Sequence, residues 1–255
     1  MDTFSELTPV EQQINYAERD AILHALAVGL GRDNATRKER PYVIDAGRTV
    51  PTLASALVAD GGVLERAGYS RQMRPVIEEL RLDRPLAGAA NLLLTSRVVA
   101  HDDVAKRLEI ISDARPLAGG ESVFSLRRVY SRDSAPVAPE LPSRAPDLQC
   151  RLETRVEQRL VARLLGQREL EDTQGPDLLD TSTVLGLACR ALLQTICEFD
   201  HTLMSVLSAH VVGPLAAGES LLTEMWQEAN IVSFRSTAVE RDEPVLSAGR
   251  CELVT

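Results

Sequence analysis

Two proline-led segments, Pro85-Leu86-Ala87-Gly88-Ala89-Ala90-Asn91-Leu92 and Pro214-Leu215-Ala216-Ala217-Gly218-Glu219-Ser220-Leu221, lie 129 positions apart in a chain of 255 residues. Each turns at proline and glycine and then enters an apolar run. The same order precedes both: a short helical pattern ending in glycine (18–29 and 157–166), an irregular stretch, and an apolar helix rich in small residues (51–59 and 183–198). Strand patterns follow at 92–100, 108–114 and 121–131 in the first half, and at 206–212, 220–228, 231–240 and 245–253 in the second. One order of elements repeated at half the chain length predicts two copies of a single architecture.

The second apolar helix indicates what each copy does with its strands. Val184, Leu185, Leu187, Ala188, Ala191, Leu192 and Ile196 cover much of its circumference, as in a helix enclosed by a sheet rather than lying on one. Gly186, Ala188 and Cys189 permit close approach. The expected class is therefore α+β, with antiparallel sheet wrapped around a long central helix in each half, related by a pseudo-twofold. Between the halves, Pro136, Pro139, Pro142 and Pro146 cannot continue a ladder and favour an extended linker. The expected division is 1–147, the first copy with its linker, and 148–255, the second.

Charge and cysteine usage narrow the function classes. A net charge of -9 without a basic run argues against nucleic acid and anionic membrane as partners. Cys150, Cys189, Cys197 and Cys251 are scattered, without the close pairs of metal sites or disulfide scaffolds. With neither a signal segment nor a membrane-length apolar run, the expected location is the cytoplasm. There is no glycine-rich phosphate loop and no histidine pair at helical spacing, so no cofactor or metal is expected.

Three stretches in order resemble the MaoC-like, or hydratase 2, family. Residues 16–29, beginning Tyr16-Ala17-Glu18-Arg19-Asp20, are similar to the opening of its two-hotdog members. Residues 178–192, ending Gly186-Leu187-Ala188-Cys189-Arg190-Ala191-Leu192, resemble its central helix, and residues 214–250 its closing strands. The resemblance implies a double hotdog fold and an ancestry in (R)-specific enoyl-thioester hydratases or dehydratases. In that family the second half carries Gly-Asp-x-Asn-Pro-x-His, whose Asp and His activate water.

In register from Gly166, this chain has Gln167 at the Asp position, Glu169 at the Asn, Leu170 at the Pro and Asp172 at the His. Asp180 and Thr181 stand where the family helix opens with His-Gly. Glutamine cannot act as a base, and an unperturbed aspartate is a weak one near neutral pH. The resemblance therefore implies an inherited pocket without the inherited dyad. The candidate catalytic groups are Asp180, Asp172 and Glu169. The candidate substrate-binding groups are Gln167, Thr181 (through its backbone N–H at the helix start) and His24, which stands where the family often has tyrosine. Each has a plainer reading: a solvated acidic loop, a helix cap, or a partly buried helix histidine.

The function expected is a repurposed lyase or isomerase/cyclase acting on an acyl or polyketide-like substrate, carried on coenzyme A or an acyl carrier protein. The alternatives are a catalytically inactive acyl-binding subunit, as a homodimer or beside a hydratase-like partner, and a true (R)-enoyl-thioester hydratase.

Overall fold

The computed structural model describes residues 8–254 except 33–36, 45, 70–72, 103, 105, 133–135, 138 and 166–177. The first half runs β1 (Val10–Tyr16), α1 (Glu18–Ala27), α2 (Arg40–Val43), α3 (Leu53–Leu57), α4 (Gly61–Arg66), β2 (Arg74–Leu82), β3 (Ala90–Asp102), β4 (Arg107–Pro116) and β5 (Phe124–Ser131). The second runs β6 (Leu148–Glu153), α5 (Val156–Arg163), α6 (Thr181–Thr195), β7 (Met204–Val211), β8 (Ser220–Glu228), β9 (Ile231–Ala238) and β10 (Glu243–Leu253).

The strand order β1-β3-β4-β5-β2-β7-β10-β9-β8-β6 reads the same from either end once the copies are matched, β1 with β6, β3 with β8 and so on inward. The repeat is thus visible in the topology, and the fold is a double hotdog. Every described strand pairing is antiparallel. The copies share one ten-stranded sheet rather than forming two separate ones, because β2 pairs with β7 from Ile77↔His210 to Arg81↔Val206.

Helix α6 is enclosed as its composition requires. Residues 182–189 and 191–193 are buried, leaving Arg190, Gln194 and the two terminal threonines toward the surface. The core around it draws on α1 (Ala25), β6 (Cys150, Leu152), β7 (Leu207, Ala209) and β9 (Val232, Phe234). Gly186 sets the spacing, since a Cβ there would stand 2.4 Å from Val28 Cγ1 and 3.2 Å from Thr52 Oγ1. Gly186→Val is therefore expected to destabilise the protein by about 1–3 kcal/mol through overpacking, measurable as a fall in the urea midpoint.

The first half departs from the expected long helix. Instead of one apolar helix over 51–59 it has two short ones, α3 and α4, separated by extended backbone at Val58 (ψ 115°). The reason is tertiary. The carbonyls of Ser55 and Val58 accept hydrogen bonds from the Arg128 guanidinium at 2.7 and 2.9 Å, a tertiary partner in place of the next helical turn, and α3 ends there.

Three strands fall outside the sequence pattern. β1 and β6 lie at the two ends of the sheet, and each buries only two side chains, Ile14 and Tyr16 in one and Cys150 and Leu152 in the other. β2 places Val76, Glu78, Leu80 and Leu82 on its buried face, so a carboxylate interrupts the apolar alternation. The linker is tied to the second half, where Trp226 Nε1 donates to the Arg144 carbonyl at 2.8 Å and the Arg235 guanidinium lies 5.5 Å from the indole ring. No described helix is long and apolar enough to cross a membrane.

Candidate functional site

Where the two copies meet, the start of α6 faces the broken helix of the first half across a cleft of about 260 Å³. Asp180, Thr181 and Ser182 form one wall. The other is built from Ser55 to Gly61, Leu64, Glu65, Tyr69, Met73 and Pro75, with Arg128 and Tyr130 from β5. Ala56, Leu57, Val58, Leu64 and Met73 make much of it apolar, while polar groups converge on it from both halves. That combination is what a small-molecule site requires.

Asp180 is the N-cap of α6, with extended backbone (φ −68°, ψ 160°). Its Oδ1 accepts from the Thr183 backbone N–H at 2.9 Å and from Ser182 Oγ at 2.6 Å, and its Oδ2 accepts from Thr183 Oγ1 at 2.6 Å. The carboxylate is therefore engaged by its own helix start, which is the capping role. Thr181 lines the same wall. Of the sequence candidates, these two come together in the cleft.

His24 lies elsewhere. It is 1% exposed on α1, 3.0 Å from Thr52 Oγ1, and does not line the cleft. Burial pushes its pKa down to about 3, so the ring is neutral at ordinary pH. Gln167, Glu169 and Asp172 lie outside the described residues. All four cysteines are buried and unbridged, and burial drives the Cys189 thiol well above its ordinary range, which leaves it a small apolar side chain. Among the described residues, no group of three or more His, Cys, Asp or Glu could hold a metal ion.

The floor of the cleft carries a charged cluster that the sequence pattern did not reveal. Arg128 donates through Nε to Glu78 (2.8 Å), through Nη1 to Asp60 (3.1 Å) and Val58 O, and through Nη2 to Ser55 O and Oγ. Tyr130 donates to Asp60 Oδ2 at 2.7 Å, and Ser112 reaches Asp60 Oδ1 at 3.3 Å. Asp60 holds the N-cap position of α4 but makes no cap bond; its carboxylate serves this cluster instead. Burial pushes the Tyr130 phenol well up, and adjacent Asp60 pushes it further. Burial alone would lower the Arg128 pKa, but Glu78, Tyr130 and Asp60 outweigh it and keep the guanidinium firmly charged. The available sequence signal was a charged residue at an inward strand position, Glu78 between Val76 and Leu80, and Arg128 between Leu126 and Tyr130.

A second pair stands at the cleft wall. Tyr69, just after α4, lines the cleft and its hydroxyl shares a hydrogen bond with His101 Nε2; the rings are 5.5 Å apart and inclined at 56°. His101 lies near the end of β3, whose ladder continues to Asp102.

No family model matches the chain. It is 25% identical to a peroxisomal enoyl-CoA hydratase 2 of Arabidopsis thaliana, over 93% of this chain and 90% of the relative. It is 26% identical to 3-hydroxyacyl-thioester dehydratase Y of Mycobacterium tuberculosis, over 94% and 93%. Its fold matches the crystal structure of a MaoC-like dehydratase from Phytophthora capsici with a TM-score of 0.78 at 18% identity, covering 97% of this chain and 95% of that one. Taken with the duplicated topology and the long enclosed helix of the second copy, these likenesses support a place for the chain beside the MaoC-like, hydratase 2 family of double hotdog proteins.

Proposed function

We propose that the protein is a repurposed lyase or isomerase/cyclase of MaoC-like dehydratase descent. It acts on an acyl or polyketide-like substrate, held as a thioester on coenzyme A or an acyl carrier protein, without the standard Asp/His dyad. The cleft between the copies carries this reading: it has apolar walls, a charged floor from the first half and the start of α6 from the second. Hydrophobic side chains would take the acyl part. Backbone N–H groups at the start of α6, apart from that of Thr183, which Asp180 holds, would stabilise charge on a thioester oxygen, which needs no particular side chain.

A second reading, an acyl-binding subunit that supports an active partner, has its own support. Asp180 is occupied by capping, and Val156, Leu160 and Leu164 of the α5 region form an exposed apolar row at four-residue spacing, 61%, 55% and 65% exposed.

The loss of the standard dyad, on which both readings rest, is tested directly. Purified protein given crotonyl-coenzyme A should show hydration no faster than background, because the register at Gly166 leaves Gln167 and Asp172 in place of the dyad. Turnover at a typical enzymatic rate, about 1–1,000 per second, would show that the dyad function survives. On any substrate that is turned over, Asp180→Asn tests the carboxylate itself. Asparagine caps a helix about as well as aspartate, so the melting temperature should hold, and activity should vanish only if the carboxylate transfers a proton. Unchanged activity would remove Asp180 from the mechanism.

A further inference from the structure

We propose that Tyr69, hydrogen-bonded to His101, is the group that moves protons between the cleft and its substrate. The inference rests on the cleft being an acyl site and supplies that site with its acid and base.

Position is the first argument. Tyr69 lines the cleft, whereas His101 is not among the lining residues, so the phenol meets a bound molecule and the imidazole backs it. The phenol is also held in place. Gly68 takes φ +75°, a left-handed conformation that closes α4, with its N–H on the Glu65 carbonyl at 3.0 Å. The Tyr69 N–H reaches the Leu64 carbonyl at 2.9 Å, and the ring packs on the cluster of Val63, Leu64, Leu108 and Ile110.

The second argument is the engagement of the other candidates. Asp180 caps α6, all five N–H bonds of Arg128 are used, and Tyr130 already donates to Asp60. Tyr69 is half-buried, with its hydroxyl held on an imidazole nitrogen.

The chemistry follows from that hydrogen bond. A C–H bond at C2 of a 3-enoyl thioester, or at C4 of a 2-enoyl thioester, gives its proton to Tyr69 Oη as the phenolic proton passes to the unprotonated Nε2 of His101, and the bonding pair becomes the dienolate. Return of both protons, with carbon accepting at a different position, shifts the double bond; return at the same position is exchange. No electrons leave the substrate and no co-reactant is needed. Tyr69 is the catalytic residue in this scheme and His101 its positioning and relay partner, and among the described residues Glu65 on α4 and Tyr130 on β5 line the same cleft.

The test uses the full chain in deuterium oxide with crotonyl-coenzyme A and 3-butenoyl-coenzyme A, reading deuterium incorporation by mass spectrometry. Binding is measured separately by calorimetry with the unreactive thioether analogue of butyryl-coenzyme A. The wild type should bind the thioether and exchange the thioesters. Tyr69→Phe should keep thioether affinity and melting temperature and lose about 100-fold or more in exchange. His101→Gln should lose less, and should lose it in kcat with KM and thioether affinity kept, a split that a purely structural histidine would not give. Exchange by Tyr69→Phe at the wild-type rate overturns the assignment, as does a wild type that binds the thioether yet exchanges nothing. Absence of thioether binding would instead refute the acyl reading of the cleft, and the assignment would fall with it.

Discussion

Arg128→Met is expected to cost about 3–5 kcal/mol of stability, because it strands two carboxylates that have almost no access to water. The Asp60 and Glu78 side chains are 2% and 1% exposed, and Arg128 is the cation that pairs with both. The same change frees the carbonyls of Ser55 and Val58, which end α3 on the guanidinium. For a chain of this size the loss should appear as a fall in melting temperature on the order of 10 °C. Adding Asp60→Asn and Glu78→Gln should recover part of it, since neutral amides carry a smaller burial penalty. The neighbouring arginine is the control. Arg127 pairs with Glu109 through two bonds of 2.7 and 3.0 Å, but the side chains are 34% and 23% exposed, so Arg127→Met should cost about 1 kcal/mol or less. A loss under about 1 kcal/mol for Arg128→Met would mean that water reaches the cluster.

Acid should weaken the protein well before its surface carboxylates titrate, through His24. Burial holds its folded pKa near 3, while the unfolded chain takes up the proton near the ordinary value of about 6.5. Between those values the unfolded state binds more protons, so stability falls as pH falls. The penalty is absent above about pH 7 and accumulates as pH drops toward 3. From pH 7 to pH 5 the loss from this one group is about 2 kcal/mol. Urea midpoints at the two pH values measure it. His24→Gln, which retains a partner for Thr52, should flatten the dependence even if it lowers stability at pH 7, and an unchanged slope would clear His24 of the effect.

The parts of the fold that could be read in advance are those where local pattern and tertiary role agree. The apolar girth of α6 could mean little except enclosure, and the two Pro-Leu-Ala segments led to equivalent strands, β3 and β8. Reading failed where a tertiary partner overrode the local pattern. Residues 51–59 have helical composition, but Arg128, some seventy positions away, takes the carbonyls that would have carried the helix onward. β2 hid because Glu78 sits among its inward side chains, and only the register that sets Glu78 opposite Arg128 makes a carboxylate tolerable there. The site divides the same way. Asp180 and Thr181 were legible because they stand in register with a motif on one helix. Arg128 and Tyr130 share the inward face of an expected strand, but no spacing ties Asp60, Tyr69 and His101 to it, and tertiary structure alone gathers them.

The unequal helices of the two copies have a volumetric meaning. The second copy fills its slot with fifteen residues of α6, roughly 22 Å of continuous helix. The first offers five residues, a break at Val58 and then six more in the equivalent stretch of chain. A protein folded from two identical protomers would have to fill both slots or neither. Fusion into one chain lifts that constraint: one slot can be stocked with apolar side chains to hold the molecule together, while its twin gives up part of its filling as room for a guest. The cleft is then the unoccupied remainder of a helix, and the protein's rigidity and its capacity are drawn from opposite halves of the same duplicated plan.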